Sequence, residues 1–125
     1  MKRVIETSKA PKAIGPYSQA IEVDNTLYCS GMIPIDPESG DVVFGEIKIQ
    51  TAQVLKNIDA LLNAAGYSKE DVVKTTCLLS DISYFAEFNE VYGEYFTNKP
   101  ARSCFAVKDL PRGVDLEIEV IAHKD

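Results

Sequence analysis

Alternating apolar and polar residues predict several short strands in the first third of the chain. These runs cover residues 2–6, 17–23 and 26–30, and Asp24 and Asn25 form the tight-turn signal between the second and third. Residues 7–13 are predicted to be a polar loop. Residues 31–40 are rich in proline and glycine, so they are also predicted to form a loop.

Two helices are predicted where apolar residues recur every three or four positions. The first covers residues 45–65, and Gly66 should end it with a left-handed cap. Its apolar face comprises Thr51, Val54, Ile58, Leu61 and Ala65. The second helix begins near Asp81 or Ser83, either of which can cap it, and Pro100 forbids its continuation. Its aromatic stripe, typical of core packing, comprises Phe85, Phe88, Tyr92 and Tyr95 or Phe96.

Three further strands are predicted over residues 71–80, 102–107 and 115–122, which gives the order β-β-β-α-β-α-β-β. This order predicts one α+β domain over residues 1–125, with both helices on one face of a mixed sheet. The other face is expected to carry apolar residues in one phase of the strands, among them Cys77, Leu79, Leu116 and Ile118. An uncovered apolar face predicts an oligomer.

Composition and charge narrow the classes of function. Hydrophobic residues make up 46% and charged residues 26% of the 125 residues, an ordinary globular balance. The formal net charge is −6, and the lysines are dispersed, so no basic patch favours nucleic acid. The first residues lack the apolar run of a secretory signal, and no run of 18 apolar residues exists. We therefore expect a cytoplasmic protein.

Cysteine and histidine usage gives no sign of a metal site or a covalent nucleophile. Cys29, Cys77 and Cys104 are far apart and odd in number, which fits a reducing compartment. His123 is the one histidine, and it lies near the end of the sequence. No other histidine can act as base for a serine or cysteine nucleophile.

An arginine opens one predicted strand, and a glutamate lies inside the next. Arg102 can hold a carboxylate by two parallel hydrogen bonds, and Glu117 can orient or deprotonate a water. If the strands bring these side chains together, the pair suits hydrolysis of a small acid. The same spacing is also expected of a surface arginine and a solvated glutamate.

Three segments carry recognisable motifs across nearly the whole chain. They are IGPYSQA at 14–20 with SGMIP at 30–34, then QT at 50–51 with NI at 57–58 and AAG at 64–66, and PARS at 100–103 with LEI at 116–118. In this order and spacing the segments resemble the RidA (YjgF/YER057c/UK114) family, the reactive-intermediate imine deaminases. The resemblance implies a chorismate-mutase-like α+β fold and a homotrimer, in which the sheets form a barrel with clefts between subunits.

The resemblance also implies a reaction and a site. Members of the family hydrolyse 2-iminobutanoate and 2-iminopropanoate, which escape from pyridoxal-phosphate dehydratases, to 2-oxo acids and ammonia. No metal or organic cofactor is implied. Arg102 would grip the substrate carboxylate, and Glu117 rather than Glu119 would direct water and protons. The other residues that match cleft positions are Tyr17, Ser30, Gly31, Asn89 and Cys104.

Each of these matched residues also has a structural explanation. Tyr17 suits a hairpin aromatic, Ser30 and Gly31 a turn at a strand end, Asn89 an exposed helix face, and Cys104 a buried strand position. Met32 stands where many members have glutamine, and the connection 97–100 is short and lacks an aromatic before its proline. Both departures concern substrate preference. A non-catalytic 2-oxo-acid binder and a translation-inhibiting endoribonuclease are the alternative functions.

Overall fold

Six strands form one mixed sheet in the computed structural model, which describes residues 1–125. The strands are β1 (Lys2–Ile5), β2 (Ala20–Val23), β3 (Thr26–Cys29), β4 (Val72–Leu79), β5 (Ala101–Ala106) and β6 (Leu116–His123). The helices are α1 (Ile47–Ala64) and α2 (Phe85–Tyr95). The strand order is β1-β2-β3-β6-β4-β5, and only β4 and β5 pair in parallel. The predicted order of elements and the single α+β domain are confirmed.

Some predicted boundaries were wrong for identifiable local reasons. The second strand begins at Ala20 rather than residue 17, because the buried side chain of Gln19 is hydrogen-bonded to a preceding loop. Helix α1 begins at Ile47 rather than residue 45, since Gly45 has φ +128° and Glu46 is extended. Gly66 has φ +87° after the helix, as predicted.

Of the two predicted caps of the second helix, Asp81 and Ser83, Asp81 caps the 3₁₀ turn that precedes α2, and the N-cap of α2 itself is Tyr84. The carboxylate of Asp81 accepts the backbone N–H of Ser83 at 2.9 Å. This contact begins a 3₁₀ turn over Ile82–Tyr84, and α2 continues from it at Phe85. The chain therefore enters α2 in a fixed direction.

The core lies between one face of the sheet and the two helices. The predicted apolar face of α1 is buried, as are Phe88 and Tyr92 of α2 and Phe96, which directly follows α2. Phe85 is 37% exposed and therefore departs from the predicted core stripe. The buried sheet positions that face the helices are Thr75, Cys77, Leu79, Leu116, Ile118, Val120 and Ala122. Cys77, Leu79, Leu116 and Ile118 thus line the covered face, so their predicted placement on the uncovered face was wrong.

The opposite sheet face carries the alternate positions of the same strands, and no element of the chain covers it. On β6 these positions are Glu117, Glu119 and Ile121, and β4 adds Thr76 and Leu78. Three large apolar side chains in this phase, Val4, Tyr28 and Phe105, are 54%, 49% and 49% exposed. We call this surface the open face. An uncovered sheet face was therefore correctly predicted, but the residues predicted to lie on it were wrong.

No helix has both the length and the apolar character needed to cross a membrane.

Candidate active site

Arg102 lies on the helix side of the edge strand β5, where α2 packs over it. Its register partner on β4 is Thr75, which faces the helices. The Nη1 of Arg102 donates a hydrogen bond to Oδ1 of Asn89 at 2.7 Å. The guanidinium carbon lies 4.8 Å from the ring centre of Tyr92 and 5.4 Å from that of Phe85. Two rings and an amide of one helix therefore hold this cation.

The guanidinium has no acidic partner. Arg102 takes part in none of the ion pairs of the protein. It borders a cavity of about 470 Å³ whose lining includes Asn89, Lys99 and Pro100 but no acidic side chain. Only one of its five N–H donors has a protein acceptor, so one edge of the guanidinium can bind a carboxylate in two-point fashion.

Glu117 lies on the open face, near the start of β6. Its register partner is Leu78, and the adjacent residue Ile118 pairs with Met32 by two backbone hydrogen bonds. This pairing lays Gly31 against the carboxylate: a Cβ added to Gly31 would stand 2.0 Å from Oε2 of Glu117. Only glycine leaves the carboxylate in this position.

The electrostatic surroundings of Glu117 suit proton transfer. Burial, and then the like charge of Glu119 two residues further on, raise the pKa of its carboxyl above the ordinary glutamate value. No hydrogen bond or ion pair satisfies the carboxylate. A half-buried carboxyl group with a raised pKa can exchange protons nearer to neutral pH than an exposed one.

Ser30 directly precedes Gly31, and hydrogen bonds tie it to the loop that carries Tyr17 and Gln19. The hydroxyl of Ser30 donates to the carbonyl of Ser18 at 2.6 Å. The hydroxyl of Tyr17 accepts the backbone N–H of Ile14 at 3.4 Å, and its ring is half exposed. Tyr17 thus lies in the loop before β2 rather than in a strand, and it borders a cavity with Thr7 and Lys12 that includes neither Gly31 nor Glu117.

Cys104 lies two residues after Arg102 on β5 and therefore shares its helix-side face. Its register partner is Cys77, which is fully buried on β4. Burial raises the pKa of the Cys104 thiol, and the charge of Arg102 opposes this only in part. The thiol is therefore neutral at neutral pH, and no histidine is near to activate it.

The site residues form two groups on opposite sides of the sheet. We call Asn89, Arg102 and Cys104 the arginine half-site, and we call Ser30, Gly31 and Glu117 the glutamate half-site; the structure does not bring Tyr17 into either group. Strand β4 separates β5 from β6, and Arg102 and Glu117 point to opposite faces. Within one chain the two strands therefore do not bring these side chains together.

No cluster of three or more histidine, cysteine, aspartate or glutamate side chains of the kind that holds a metal ion is present. His123 lies at the far end of β6, where its Nδ1 is 3.0 Å from the hydroxyl of Thr26.

Sequence reasoning missed Phe85 and Tyr92 as neighbours of Arg102, because both were assigned to core packing. The spacing of Phe85, Asn89 and Tyr92 is i, i+4, i+7, which places all three on one helix face. Asn89 was already a candidate, so that periodicity was the signal that could have found the other two.

Comparisons with known proteins identify the family. The family model described as Endoribonuclease L-PSP matches residues 7–124. A human protein named 2-iminobutanoate/2-iminopropanoate deaminase is 51% identical, over 98% of this chain and 90% of its own. The crystal structure of RidA from an Antarctic Psychrobacter species shares 45% identity, with a TM-score of 0.94 over 98% of this chain and 99% of its own. That of E. coli TdcF with bound serine shares 39% identity, with the same TM-score and the same coverage of both chains.

Fold and site together define an α+β protein that has an arginine without an acidic partner on one face of the sheet and a glutamate of raised pKa on the other. The chain belongs to the RidA family, also described as the YjgF, L-PSP or RutC family.

Proposed function

We propose that this protein is an imine deaminase that hydrolyses small 2-imino acids, such as 2-iminobutanoate and 2-iminopropanoate, to 2-oxo acids and ammonia. The human relative bears the name of this activity and matches nearly the whole chain. The observation that carries the proposal is the unpaired guanidinium of Arg102, held by Asn89 beside an acid-free cavity. A 2-imino acid has the carboxylate that this group binds.

The working form is a homotrimer with a site between neighbouring subunits. Arg102 and Glu117 are both half-buried charges without partners in their own chain, and they point to opposite faces. A neighbouring copy that packs on the open face would bring its arginine half-site to the glutamate half-site of the first copy. The exposed Val4, Tyr28 and Phe105 supply the apolar surface for this packing.

The reaction needs binding, a directed water and proton transfer. Arg102 binds the carboxylate of the substrate, which orients the carbon of the C=N bond. Water adds to this carbon of the protonated imine while Glu117 takes a proton from the water. Glu117 returns that proton to the nitrogen of the resulting carbinolamine and then takes the hydroxyl proton as the C–N bond breaks. The products are the 2-oxo acid and ammonia, and the ammonia takes the proton left on Glu117. Cys104 forms no covalent bond in this scheme.

Charge distribution weighs against the endoribonuclease that the description of the family model mentions. The chain has net charge −6, which repels a phosphate backbone. Neither half-site contains a histidine, and the cavity beside Arg102 is small enough for an amino-acid-sized ligand. An RNA cleavage assay on the same preparation tests this second function.

The direct test generates 2-iminobutanoate with a threonine dehydratase and follows the formation of 2-oxobutanoate with and without this protein. Wild-type protein should speed hydrolysis, and Arg102→Ala should abolish the effect and the binding of 2-oxobutanoate. Arg102→Lys should restore little, because an ammonium lacks the planar fork. The proposal fails if Arg102→Ala retains full activity.

Glu119 offers a matched control for Glu117 because both lie on the same face of β6. Glu117→Gln should keep 2-oxobutanoate binding while turnover falls by about a hundredfold or more, the usual contribution of a general acid–base group. Glu119→Gln should retain most activity. A greater loss of turnover in Glu119→Gln than in Glu117→Gln would contradict the assignment. If the wild type binds 2-oxobutanoate but does not hydrolyse the imine, the protein is instead a 2-oxo-acid binder.

A further inference from the structure

The ring of Tyr92 contacts Arg102, while its hydroxyl is fixed to the sheet. The hydroxyl oxygens of Tyr92 and Thr75 share a hydrogen bond of 2.7 Å inside the core. Tyr92 is 7% exposed and Thr75 is 0% exposed. Since neither hydroxyl can turn to water, each depends on the other for its hydrogen bond. This bond fixes the ring at one height above the sheet.

Thr75 is also the register partner of Arg102 on the neighbouring strand. The backbone pairing that places Arg102 therefore places the residue that holds Tyr92. Three contacts thus connect the same residues. Strand β5 pairs with β4, Thr75 is hydrogen-bonded to the Tyr92 hydroxyl, and the ring of Tyr92 lies 4.8 Å from the Arg102 guanidinium. Core packing alone does not require a hydroxyl at position 92, because the neighbouring aromatic residues Phe88 and Phe96 pack in the core without one.

Asn89 determines which edge of the guanidinium is occupied. Its Oδ1 accepts from Nη1 at 2.7 Å, and no other protein acceptor binds the group. The ring of Tyr92 limits rotation about the remaining side-chain bonds. An arginine that is ordered before the ligand arrives loses less conformational entropy on binding.

We propose that Tyr92 is a positioning residue for carboxylate recognition: its ring, fixed through Thr75, holds Arg102 with its unoccupied edge towards the substrate. The nature of the substrate rests on the proposed function. The placement of the guanidinium does not, and it can be measured separately.

Binding of 2-oxobutanoate, measured by calorimetry, is the first test. Tyr92→Leu should weaken binding by about tenfold, and Tyr92→Phe, which keeps the ring, should weaken it by less than about threefold. Phe88→Leu is the matched control, because Phe88 is fully buried in the same aromatic row and does not contact Arg102. It should lower the thermal midpoint as Tyr92→Leu does, with binding unchanged.

A double-mutant cycle separates positioning from a general structural role. Because Arg102→Ala abolishes ligand binding, the cycle is measured on the free energy of unfolding: if the Tyr92 ring holds Arg102, Tyr92→Leu should cost less in the Arg102→Ala background than in the wild type. In the deaminase assay Tyr92→Leu should raise KM more than it lowers kcat. An equal additional loss in both backgrounds would overturn the proposal.

The NMR resonance of the Arg102 Nε–Hε group reports the placement without any substrate. It is assigned by its disappearance in Arg102→Lys. Tyr92→Leu should shift it through loss of the ring current, and Phe88→Leu should not. If Tyr92→Leu fails to fold, Thr75→Val serves instead and should shift the same resonance.

The outcomes distinguish this inference from the proposed function. An unchanged resonance with unchanged binding overturns the positioning role of Tyr92. If wild-type protein binds no 2-oxo acid, the proposed function fails, and the shift of the resonance still decides whether Tyr92 places the guanidinium.

Discussion

Gly31 is the residue whose size most directly limits the chemistry. A Cβ at this position would lie 2.0 Å from Oε2 of Glu117. Its other close contacts would be with the same flexible side chain. The side chain of Glu117 can move away at small cost to the fold. We therefore expect Gly31→Ala to lower kcat by about tenfold or more while the thermal midpoint changes little.

A wild-type kcat in Gly31→Ala, measured with the imine assay, would show that the carboxylate need not lie against residue 31.

Glu117 should also lower the stability of the fold at neutral pH. Its pKa is raised by burial and by Glu119, so the folded protein keeps the proton at pH values where the unfolded chain has lost it. The contribution of Glu117 to stability is therefore fully present below the unfolded pKa, near 4.5, and is lost as pH rises through the folded pKa. Glu117→Gln should raise the thermal midpoint at pH 7, and this gain should disappear below about pH 4.

Thermal melts of wild type and Glu117→Gln across pH 3.5–8 check this prediction. Glu119→Gln removes only the second cause of the raised pKa, so its gain at pH 7 should be smaller. A lower midpoint for Glu117→Gln at pH 7 would contradict the assigned direction.

At the scale of elements, the sequence predicted the fold well where periodicity was long. The i, i+3, i+4 spacing from Thr51 to Ala65 identified α1, and Gly66 identified its end. Strand phase was harder, because β4 has apolar residues in both phases and its polar residues, 74–76, are consecutive. On β6 the polar residues are Glu117, Glu119 and the terminal His123. Those two glutamates were the signal that this phase faces outward, and the prediction did not use it.

The division of the site into two half-sites was not predictable from spacing. Residues 102 and 117 lie in strands that are consecutive along the chain, which suggests neighbours, but β6 inserts between β3 and β4. This insertion depends on long-range pairing that no local pattern encodes. The resemblance to a family supplied the residues, and only the sheet order shows that they lie on opposite faces.

Gln19 organises the loop that carries Tyr17, a role that no pattern in the sequence predicted. Its buried side chain accepts the N–H of Thr7 and donates to the carbonyls of Thr7, Ala10 and Pro11. Gln19→Leu would leave these backbone groups without partners, at a cost of about 2–3 kcal/mol in the free energy of unfolding.

Hydrogen exchange can localise that effect. In Gln19→Leu, amides of residues 7–17 should exchange faster, while those of β4 and β6 should keep their relative protection. Equal acceleration throughout the molecule would show that Gln19 supports the core rather than the loop.

At the scale of the whole molecule, the open face should be an interface between copies of this chain. Phe105 is 49% exposed on the edge strand in the phase of this face. Light scattering should give about three times the chain mass of 13.8 kDa. Phe105→Asp should dissociate the assembly and remove activity together, since it would bury a charge without a partner. A monomeric wild type at micromolar concentration would contradict this prediction.

Subunit mixing tests whether each site combines half-sites from two chains. Arg102→Ala and Glu117→Gln should each be inactive alone, because every site in either trimer lacks one side chain. In a mixed trimer with cyclic symmetry, one of the three interfaces joins an intact Arg102 to an intact Glu117. Random mixing by co-refolding at equal amounts should therefore restore about a quarter of wild-type activity. Sites built within single chains would remain inactive after mixing, because each chain would still carry its own lesion. The opposite faces occupied by Arg102 and Glu117 favour the first outcome, since no movement of one chain short of unfolding β4 would bring the two side chains together.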